Sequence, residues 1–307
     1  MRTPFPREGL VAFGPRGDRG AAHLWSAVHR LAKALPAGTE GGSVLLVFEG
    51  DRFLFAAALF ATWARGLTAL VPPDNRRATL TRLQHRPEVV ALLHDTESGL
   101  AVRVQDVLQE PGSVPDLDPL PERLERRWRA GRAPLLRLFA GGLRGELEPL
   151  DLDGPVLSAE LERLAAHPLP TGARVMGAVP LGHRYGLIHT VLRPLSDGGA
   201  FWGSLGPTSV LADRFPEGPA TVLVTHPREL ATLSSRRRPL EAVITSLGPL
   251  EPRVAAQAEA AFGTRPLDLF TSSRGGALAA RATPEAPWTC LPGVRLLARG
   301  EAPTFEV

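Results

Sequence analysis

Apolar runs of strand length that alternate with helical patterns are the feature that most constrains the fold of this chain. Ser43 to Phe48 is one such run, and Leu67 to Val71 and Val89 to Leu93 follow it with helical patterns between them. Nearly continuous apolar runs are typical of parallel strands that are covered on both faces. Strand, helix and strand at this spacing indicate a βαβ series, so we expect a parallel sheet.

The second half of the chain repeats this alternation. Its predicted strands are Val175 to Val179, Thr221 to Val224, Glu241 to Thr245 and Pro266 to Phe270, and its predicted helices are Val156 to Ala166, His183 to Leu192 and Glu251 to Phe262. From Leu278 onward the pattern turns to short β segments. We therefore predict an α/β fold of two layered lobes with mostly parallel sheets, divided into residues 1–170 and 171–307.

Composition excludes several classes of protein. The chain has 307 residues, 44% hydrophobic and 22% charged, which is enough for a sizeable core. No apolar run reaches the ~18 residues of a membrane span, and no secretory signal is visible, so we expect a cytoplasmic protein. A single cysteine, Cys290, excludes an intramolecular disulfide and a cysteine-based metal cluster. The net charge is only +3, and acidic residues interleave an arginine cluster, which argues against nucleic-acid binding.

Three loops that follow predicted strands contain residues suited to binding. The first is Phe139 to Gly145, where Gly141, Gly142 and Gly145 would let backbone N–H groups approach a phosphate and Arg144 would add charge. A plain tight turn after a buried strand explains the same glycines.

The second loop is Pro180 to Leu187, which contains His183, the only tyrosine, Tyr185, and Gly186. In a doubly wound sheet this position is the carboxyl edge, where ligands bind. The alternative is a helix start whose histidine and tyrosine are polar groups satisfied within the fold.

The third loop runs from Asp268 to Gly276 and includes Phe270, Ser272, Ser273 and Arg274. No G-x-S-x-G elbow is present and no base is identifiable, so we interpret this loop as ligand-facing rather than nucleophilic.

These stretches, in this order, resemble the adenylate-forming superfamily, the AMP-dependent synthetases and ligases. Asp51 to Asn75 is similar to its N-terminal core, Pro180 to Leu187 to its histidine-aromatic motif beside the acyl pocket, and Asp268 to Arg281 to its Tyr-Gly-Ser-Thr-Glu-Thr-Gly motif. Thr245 to Leu250, with Gly248 and Pro249, resembles the turn that lines the adenine, and we expect Ser246 of this turn to contact the substrate. The resemblance covers roughly residues 20 to 307 and is closest to ligases of bacterial polyene and pigment clusters.

Departures from the family pattern imply altered chemistry. The family's phosphate loop is rich in Ser and Thr and is followed by a lysine, whereas this loop has Ala140, Gly141, Leu143 and Arg144, and no lysine follows. The family's Mg²⁺-holding carboxylate falls on Arg274. The sequence ends at Val307 before the small lid domain of the family. Loss of the metal ligand and the lysine would remove most of the stabilisation of a triphosphate in the transition state.

The resemblance leaves three functions open. The first is a degenerate domain that binds an acyl or aryl acid, free or on a carrier protein, in a biosynthetic pathway without normal adenylation. The second is an active AMP-forming acid ligase that uses Arg144 or Arg274 as charge clamps and a lid from another chain, in which case ATP or AMP and Mg²⁺ are its cofactors. The third is a structural partner of a biosynthetic complex whose pocket has collapsed.

Two geometric expectations follow. His183 and Tyr185 should face a cleft between the lobes near Gly248 and Phe270. Arg274 should either clamp an anionic group directly or pair with a nearby carboxylate such as Asp268.

Overall fold

A computed structural model describes residues 1–38, 41–96, 102–109, 119–141, 147–206, 220–232, 238–299 and 302–306. Its strands are β1 (Leu10–Phe13), β2 (Arg19–Gly20), β3 (Ser43–Val47), β4 (Thr68–Leu70), β5 (Val89–His94), β6 (Val102–Arg103), β7 (Leu136–Gly141), β8 (Leu147–Leu152), β9 (Arg174–Gly177), β10 (Ala200–Trp202), β11 (Thr221–Thr225), β12 (Ala242–Thr245), β13 (Pro266–Ser272), β14 (Gly276–Arg281), β15 (Thr289–Cys290), β16 (Arg295–Arg299) and β17 (Ala302–Glu306).

Helices connect these strands. They are α1 (Ala21–Ala34), α2 (Arg52–Ala64), α3 (Arg77–Gln84), α4 (Val104–Gln109), α5 (Pro119–Ala130), α6 (Gly154–Leu164), α7 (Arg184–Leu187), α8 (Arg193–Ser196), α9 (Pro227–Ala231) and α10 (Pro252–Phe262), with a π-helical turn at Ile188–Leu192 between α7 and α8. Within the described ranges, no helix combines the length and the apolarity needed to cross a membrane.

The first sheet has the order β6-β5-β3-β4-β7-β8. All neighbouring pairs are parallel except β7 and β8. Every residue of β3 and β4 is buried, as expected for strands with helices on both faces. This is the predicted βαβ series.

The second sheet has the order β15-β14-β13-β12-β11-β9-β10-β1-β2. The strands from β13 to β1 are parallel, and antiparallel strands complete both ends. Strand β1 comes from the first fourteen residues but pairs with β10, so a division at residue 170 does not separate the strands of the two sheets. Strands β16 and β17 form a separate antiparallel pair.

Helix α2 lies in the core between the sheets. Every residue from Arg52 to Trp63 is buried, and the helix has no polar face because it contacts protein on all sides. Asp51 caps it by accepting a hydrogen bond from Leu54 N at 3.0 Å. A cluster of aromatic rings packs around its second half, formed by Phe5, Trp25, Phe60, Trp63 and Trp128.

The α/β fold and its predicted elements are confirmed. Predicted helices and strands recur within a few residues of their observed bounds, for example α6 against Val156 to Ala166 and α10 against Glu251 to Phe262. Strands β1, β2, β6 and β8 and helix α4 were not predicted. Strand β8 lies at the edge of the first sheet and is mostly accessible to solvent, so its apolar signal is weak.

Candidate functional site

Each sheet has a topological switch point, where the strand order reverses, and the two switch points lie near each other. In the first sheet, β3 has β4 on one side and β5 on the other, and in the second sheet β9 has β10 on one side and β11 on the other. Ligands of α/β sheets bind in crevices outside the carboxyl ends of strands at such switch points. A cavity of about 520 Å³ lies here, bordered by residues that follow β3, β4, β9 and β11. We call it the inter-sheet cavity.

The wall of the inter-sheet cavity consists largely of apolar side chains and also includes carboxylates. The apolar residues are Leu46, Phe48, Phe55, Val71, Val179 and Leu181. The polar side chains include Glu49, Asp74 and Glu229, with His226 4.0 Å from Glu229. Asp74 accepts a hydrogen bond from Arg76 N at 2.9 Å. Partial burial opposes ionisation of Asp74, but this bond, Thr79 and nearby arginines together lower its pKa.

A second cavity of about 580 Å³ opens where β12 and β13 end. We call it the Trp288 cavity. Its walls include Leu247, Pro249, Leu269, Phe270 and Trp288, together with the hydroxyls of Ser246 and Thr271 and the guanidinium of Arg281. Leu247, Phe270 and Trp288 are 46%, 41% and 40% exposed, which is unusual for such large apolar groups gathered in one place.

Polar contacts fix the walls of the Trp288 cavity. Ser246 Oγ donates to Leu269 O at 2.7 Å and lies 2.7 Å from Thr271 Oγ1. Arg281 Nε donates to Asp268 Oδ2 at 2.8 Å, and its guanidinium lies 4.3 Å from the centroid of the Trp288 ring. Burial raises the pKa of Asp268, and Arg281 opposes this effect. Arg281 thus lies between a carboxylate and an aromatic wall.

A buried ion pair stabilises the loop after β13. Arg184 Nε donates to Glu160 Oε2 at 2.7 Å, and both side chains are nearly inaccessible to solvent. Arg184 Nη1 also donates to Ser273 O at 3.2 Å and to Arg274 O at 2.5 Å. The other carboxylate oxygen of Glu160 accepts from Ala277 N at 3.0 Å. Ion pair and hydrogen bonds together fix the backbone of the loop.

Tyr185 does not face a cleft, so this part of the geometric expectation is wrong. Its side chain is buried, and its hydroxyl lies 3.1 Å from Thr225 O and 3.0 Å from Ile244 O. Burial raises the pKa of Tyr185 well above its usual value. Gly186 is equally internal, because a Cβ there would lie 2.1 Å from Pro180 O. Both residues pack the helix against the sheet, which is the alternative left open for this motif.

His183 precedes α7 and remains exposed. Desolvation by the surrounding protein lowers its pKa, and His226, which lines the inter-sheet cavity, contributes to the lowering. The preceding Gly182 also lines that cavity, while Gly248 and Phe270 line the Trp288 cavity. His183 is therefore beside one cavity, and Phe270 is in the other.

Arg274 pairs with a carboxylate, although with a different one from that expected. Its Nη2 donates to Glu148 Oε2 at 3.0 Å, and both side chains are largely exposed. Asp268 pairs with Arg281 instead. Ser272 Oγ accepts from Gly275 N at 2.9 Å, which closes the turn. Arg274 does not line the Trp288 cavity, and the predicted clamp has no cavity contact in the described residues.

The glycine loop that was predicted to approach a phosphate is described only at its start. Gly141 is the last residue of β7, opposite Leu147 of β8. Gly142, Arg144 and Gly145 lie outside the described residues. Their binding role therefore stays a prediction.

Two sets of residues at these sites were not predicted. The Glu160–Arg184 pair joins distant parts of the chain, and the only sequence signal is a charge within an otherwise apolar helical face. Arg281 and Trp288 come together because β13, β14 and β15 fold back on one another. Antiparallel pairing of short, irregular strands could have been suspected from the β segments after Leu278, but its register could not.

Comparison with solved structures gives extensive matches to this fold. MatB from Rhodopseudomonas palustris with bound ATP has a TM-score of 0.75 and 16% identity, and covers 96% of this chain and 66% of its own. O-succinylbenzoate coenzyme A synthetase (MenE) from Bacillus subtilis, in complex with AMP, has a TM-score of 0.78 and 12% identity, with 99% and 67% covered. A malonyl-CoA ligase with methylmalonyl-CoA and AMP bound has a TM-score of 0.71 and 20% identity, with 100% and 69% covered.

The chain thus spans about two thirds of the length of these ligases. Its fold is that of the large N-terminal domain of adenylate-forming enzymes, as the resemblance implied. No protein-family profile matches the sequence, and no curated protein matches it.

Proposed function

We propose that this protein is a degenerate adenylate-forming domain that binds an acyl or aryl acid, free or attached to a carrier protein, without normal adenylation. The fold of the solved ligases and the ordered series of motifs support the general class. The loop after β13 supports the loss of adenylation, and the Trp288 cavity supports acid binding.

The observation that carries the proposal is the identity of residue 274. The resemblance aligns Arg274 with the carboxylate that holds Mg²⁺ in adenylate-forming enzymes. A guanidinium cannot coordinate a cation, because it has donors and no acceptor. Its neighbours are already engaged: Glu148 is paired with Arg274 itself, Ser272 Oγ is used within the turn, and Arg184 binds the carbonyl oxygens of Ser273 and Arg274. The donor set of this loop therefore does not fit Mg²⁺ with a triphosphate.

The turn that the resemblance aligns with the adenine site lines the Trp288 cavity, and because Mg²⁺ with a triphosphate does not fit the neighbouring loop, we propose that this cavity takes an apolar acid instead. Its volume of about 580 Å³ lies within the usual range of small-molecule sites, roughly 300 to 1,000 Å³. Phe270 and Trp288 pack edge to face at 5.7 Å and offer apolar surface to an acyl chain or an aryl ring. Arg281 has more N–H donors than its contacts with Asp268 and Pro284 use, and is a polar group of the kind that orients a carboxylate. The open cavity argues against a structural partner with a collapsed pocket.

Two measurements test the proposal together. ATP–pyrophosphate exchange with a panel of carboxylic acids should stay at background, and calorimetry should find only very weak, Mg²⁺-independent ATP binding. A thermal-shift screen with the same acids should raise the Tm for at least one apolar acid. Micromolar binding of Mg·ATP, or exchange above background, would instead favour the active ligase with altered phosphate handling. No Tm shift with any acid, free or carrier-bound, would favour the structural partner.

A further inference from the structure

A groove beside α1 lies apart from both cavities, because none of the described residues that line it lines either of them. Its volume of about 430 Å³ suffices for a small organic molecule. One wall is a face of α1, where His23, Ser26 and Ala27 lie three and four positions apart and therefore on the same side of the helix. Arg16 and Arg19 form the opposite rim. We call it the α1 groove.

Hydrogen-bond donors without protein partners line the α1 groove. The guanidinium of Arg19 lies 4.5 Å from the centroid of the Phe53 ring, which fixes its position. Its Nη1 is 3.6 Å from Asp51 Oδ2, and within the described part of the chain no acceptor lies at hydrogen-bond distance from this side chain. His23 Nδ1 accepts from Gly20 N at 3.3 Å, which leaves Nε2 as the ring donor. The donors of Arg19 and His23 are thus available to a ligand.

Two arginines of the groove share one carboxylate. Asp51 Oδ2 accepts a hydrogen bond from Arg16 and is the atom that Arg19 approaches. Its other oxygen accepts from Leu54 N, where it caps α2. Asp51 is almost inaccessible to solvent, so one buried negative charge faces two guanidinium groups. Arg16 uses one of its five N–H groups in this contact and retains the others.

The remaining charges of the groove do not reverse this balance. Asp18, the carboxylate among the described lining residues, has Oδ2 3.6 Å from Nη2 of Arg174, an arginine outside the lining. Arg30 adds a further guanidinium to the wall and donates from Nη1 to Leu108 O at 2.9 Å. Positive charge therefore exceeds negative charge among the described residues at the groove.

Cationic donors beside apolar surface select an anion that has an apolar body. A guanidinium offers a planar fork that matches the oxygens of a phosphate or carboxylate. A phosphate monoester has three terminal oxygens and up to two negative charges, so it can accept from Arg16, Arg19 and His23 together. A carboxylate has two oxygens and one charge and satisfies this set less fully. Ala27 and Leu54 provide apolar surface in the same groove.

We propose that the α1 groove binds a small organic phosphate, whose phosphate group accepts hydrogen bonds from Arg16, Arg19 and His23 and whose apolar body contacts Ala27 and Leu54. This site is separate from the Trp288 cavity, so the proposal does not rest on acid binding.

Three probes test the two parts of this recognition. Phenyl phosphate has both a phosphate and an apolar ring, phenol has the ring alone, and inorganic phosphate has the anion alone. By calorimetry at low salt, phenyl phosphate should bind at least about ten-fold more tightly than either of the others, and added salt should weaken its binding. Equal affinity for phenyl phosphate and phenol would overturn the proposal, and so would equal affinity for phenyl phosphate and inorganic phosphate.

Two variants locate the site. Arg19→Gln removes a guanidinium that has no hydrogen-bond partner in the described protein, so it should weaken phenyl phosphate binding about ten-fold without unfolding the domain. Ser26→Asp adds a carboxylate to the partly exposed α1 wall and should weaken binding at least as much. The control is Arg265→Gln, which removes an exposed arginine that pairs with Glu259 away from the groove and should have no effect. Unchanged affinity in either folded groove variant would contradict the proposal.

Competition separates this proposal from acid binding. Saturating amounts of an acid that raises the Tm should leave the affinity for phenyl phosphate unchanged, because the two sites differ. Displacement of phenyl phosphate by that acid, or loss of its binding in Trp288→Ala, would place the phosphate in the Trp288 cavity and overturn the proposal. If no acid binds at all but phenyl phosphate binds as described, the proposed acid-binding function fails and the phosphate site stands.

Discussion

The two cavities are each supported by a buried arginine, but the two arginines are held in different ways. Arg184, below the loop of the Trp288 cavity, is paired with the carboxylate of Glu160. Arg52, beside the inter-sheet cavity, has no hydrogen-bonded carboxylate and donates to three carbonyls, Gly177 O at 2.8 Å, Trp202 O at 2.7 Å and Ser204 O at 3.1 Å.

Carbonyl groups can replace a carboxylate here because the carboxyl ends of parallel strands present them together. Gly177 ends β9 and Trp202 ends β10, so the backbone supplies partial negative charge where Arg52 enters. The arrangement is less complete than an ion pair: burial lowers the pKa of Arg52 to about 9, and its Nε has no hydrogen-bond partner. We infer that the inter-sheet cavity depends on backbone geometry, whereas the Trp288 cavity depends on a specific pair of charges.

The largest expected effect comes from breaking the charged pair. Glu160→Gln removes the carboxylate and leaves Arg184 buried without a counter-charge, which should lower the free energy of unfolding by about 3 to 5 kcal/mol. Chemical denaturation followed by circular dichroism measures this change. The matched control is Glu148→Gln, which breaks the exposed pair with Arg274 and should cost less than about 1 kcal/mol. Similar losses in both variants would show that burial of the pair is not what matters.

Replacing Arg52 should also lower the free energy of unfolding, but by less than Glu160→Gln does. Arg52→Met preserves much of the side-chain volume and removes the charge, leaving carbonyls that had a donor without one, and we expect a loss of about 2 to 3 kcal/mol. Denaturation measures it, with Arg65→Met as the control, because Arg65 donates to Pro36 O at the surface. A variant as stable as the unsubstituted protein would contradict the view that Arg52 joins α2 to the second sheet.

Acid should weaken the region between the two cavities through His189. Its ring lies 4.7 Å from that of Tyr185, and burial lowers the pKa of His189 well below 6.5, with Arg193 contributing. The unfolded chain takes up a proton near pH 6.5 and the folded chain does not, so stability should fall as the pH drops below that value, by at most about 1.4 kcal/mol per pH unit for one proton. His189→Gln should reduce this slope between pH 7 and 5. An unchanged slope would mean that other groups dominate.

Removing the aromatic wall should weaken acid binding in the Trp288 cavity. Trp288→Ala is expected to weaken binding of an aryl acid about ten-fold, because ring contacts of this kind contribute roughly 1 kcal/mol or more. Calorimetry measures the affinity. Leu296→Ala, at another exposed apolar side chain, serves as the control. An unchanged acid affinity in Trp288→Ala would contradict acid binding in the Trp288 cavity.

Sequence patterns predicted the strands and helices but not the contacts that define the sites. Apolar runs such as β3 and the glycine that ends α10 in a left-handed conformation encode local structure, so they could be read directly. Tyr185 was misassigned because a polar residue at a strand end predicts either a ligand contact or a hydrogen bond inside the sheet. Only the positions of Thr225 and Ile244 decide between the two. Long-range charge pairs such as Glu160–Arg184 have no local signature.

The smallest expected effect concerns Arg274, which distinguishes a lost metal site from a new anion site. Arg274→Glu should change acid affinity less than about two-fold, because this side chain is largely exposed and does not line the Trp288 cavity. It should cost only a few tenths of a kcal/mol in stability, since two exposed carboxylates would then face each other.

Arg274→Glu should also leave Mg·ATP binding weak, because Ser272 and the backbone around Ser273 remain bonded within the protein. Calorimetry with acid and with Mg·ATP measures both affinities, and the exchanged pair Arg274→Glu with Glu148→Arg is the control for the lost ion pair. A strong loss of acid binding, absent from the exchanged pair, would restore the idea of an anion clamp. A gain of Mg·ATP binding would instead show that the loop still has the geometry of a metal site and lacks only the carboxylate.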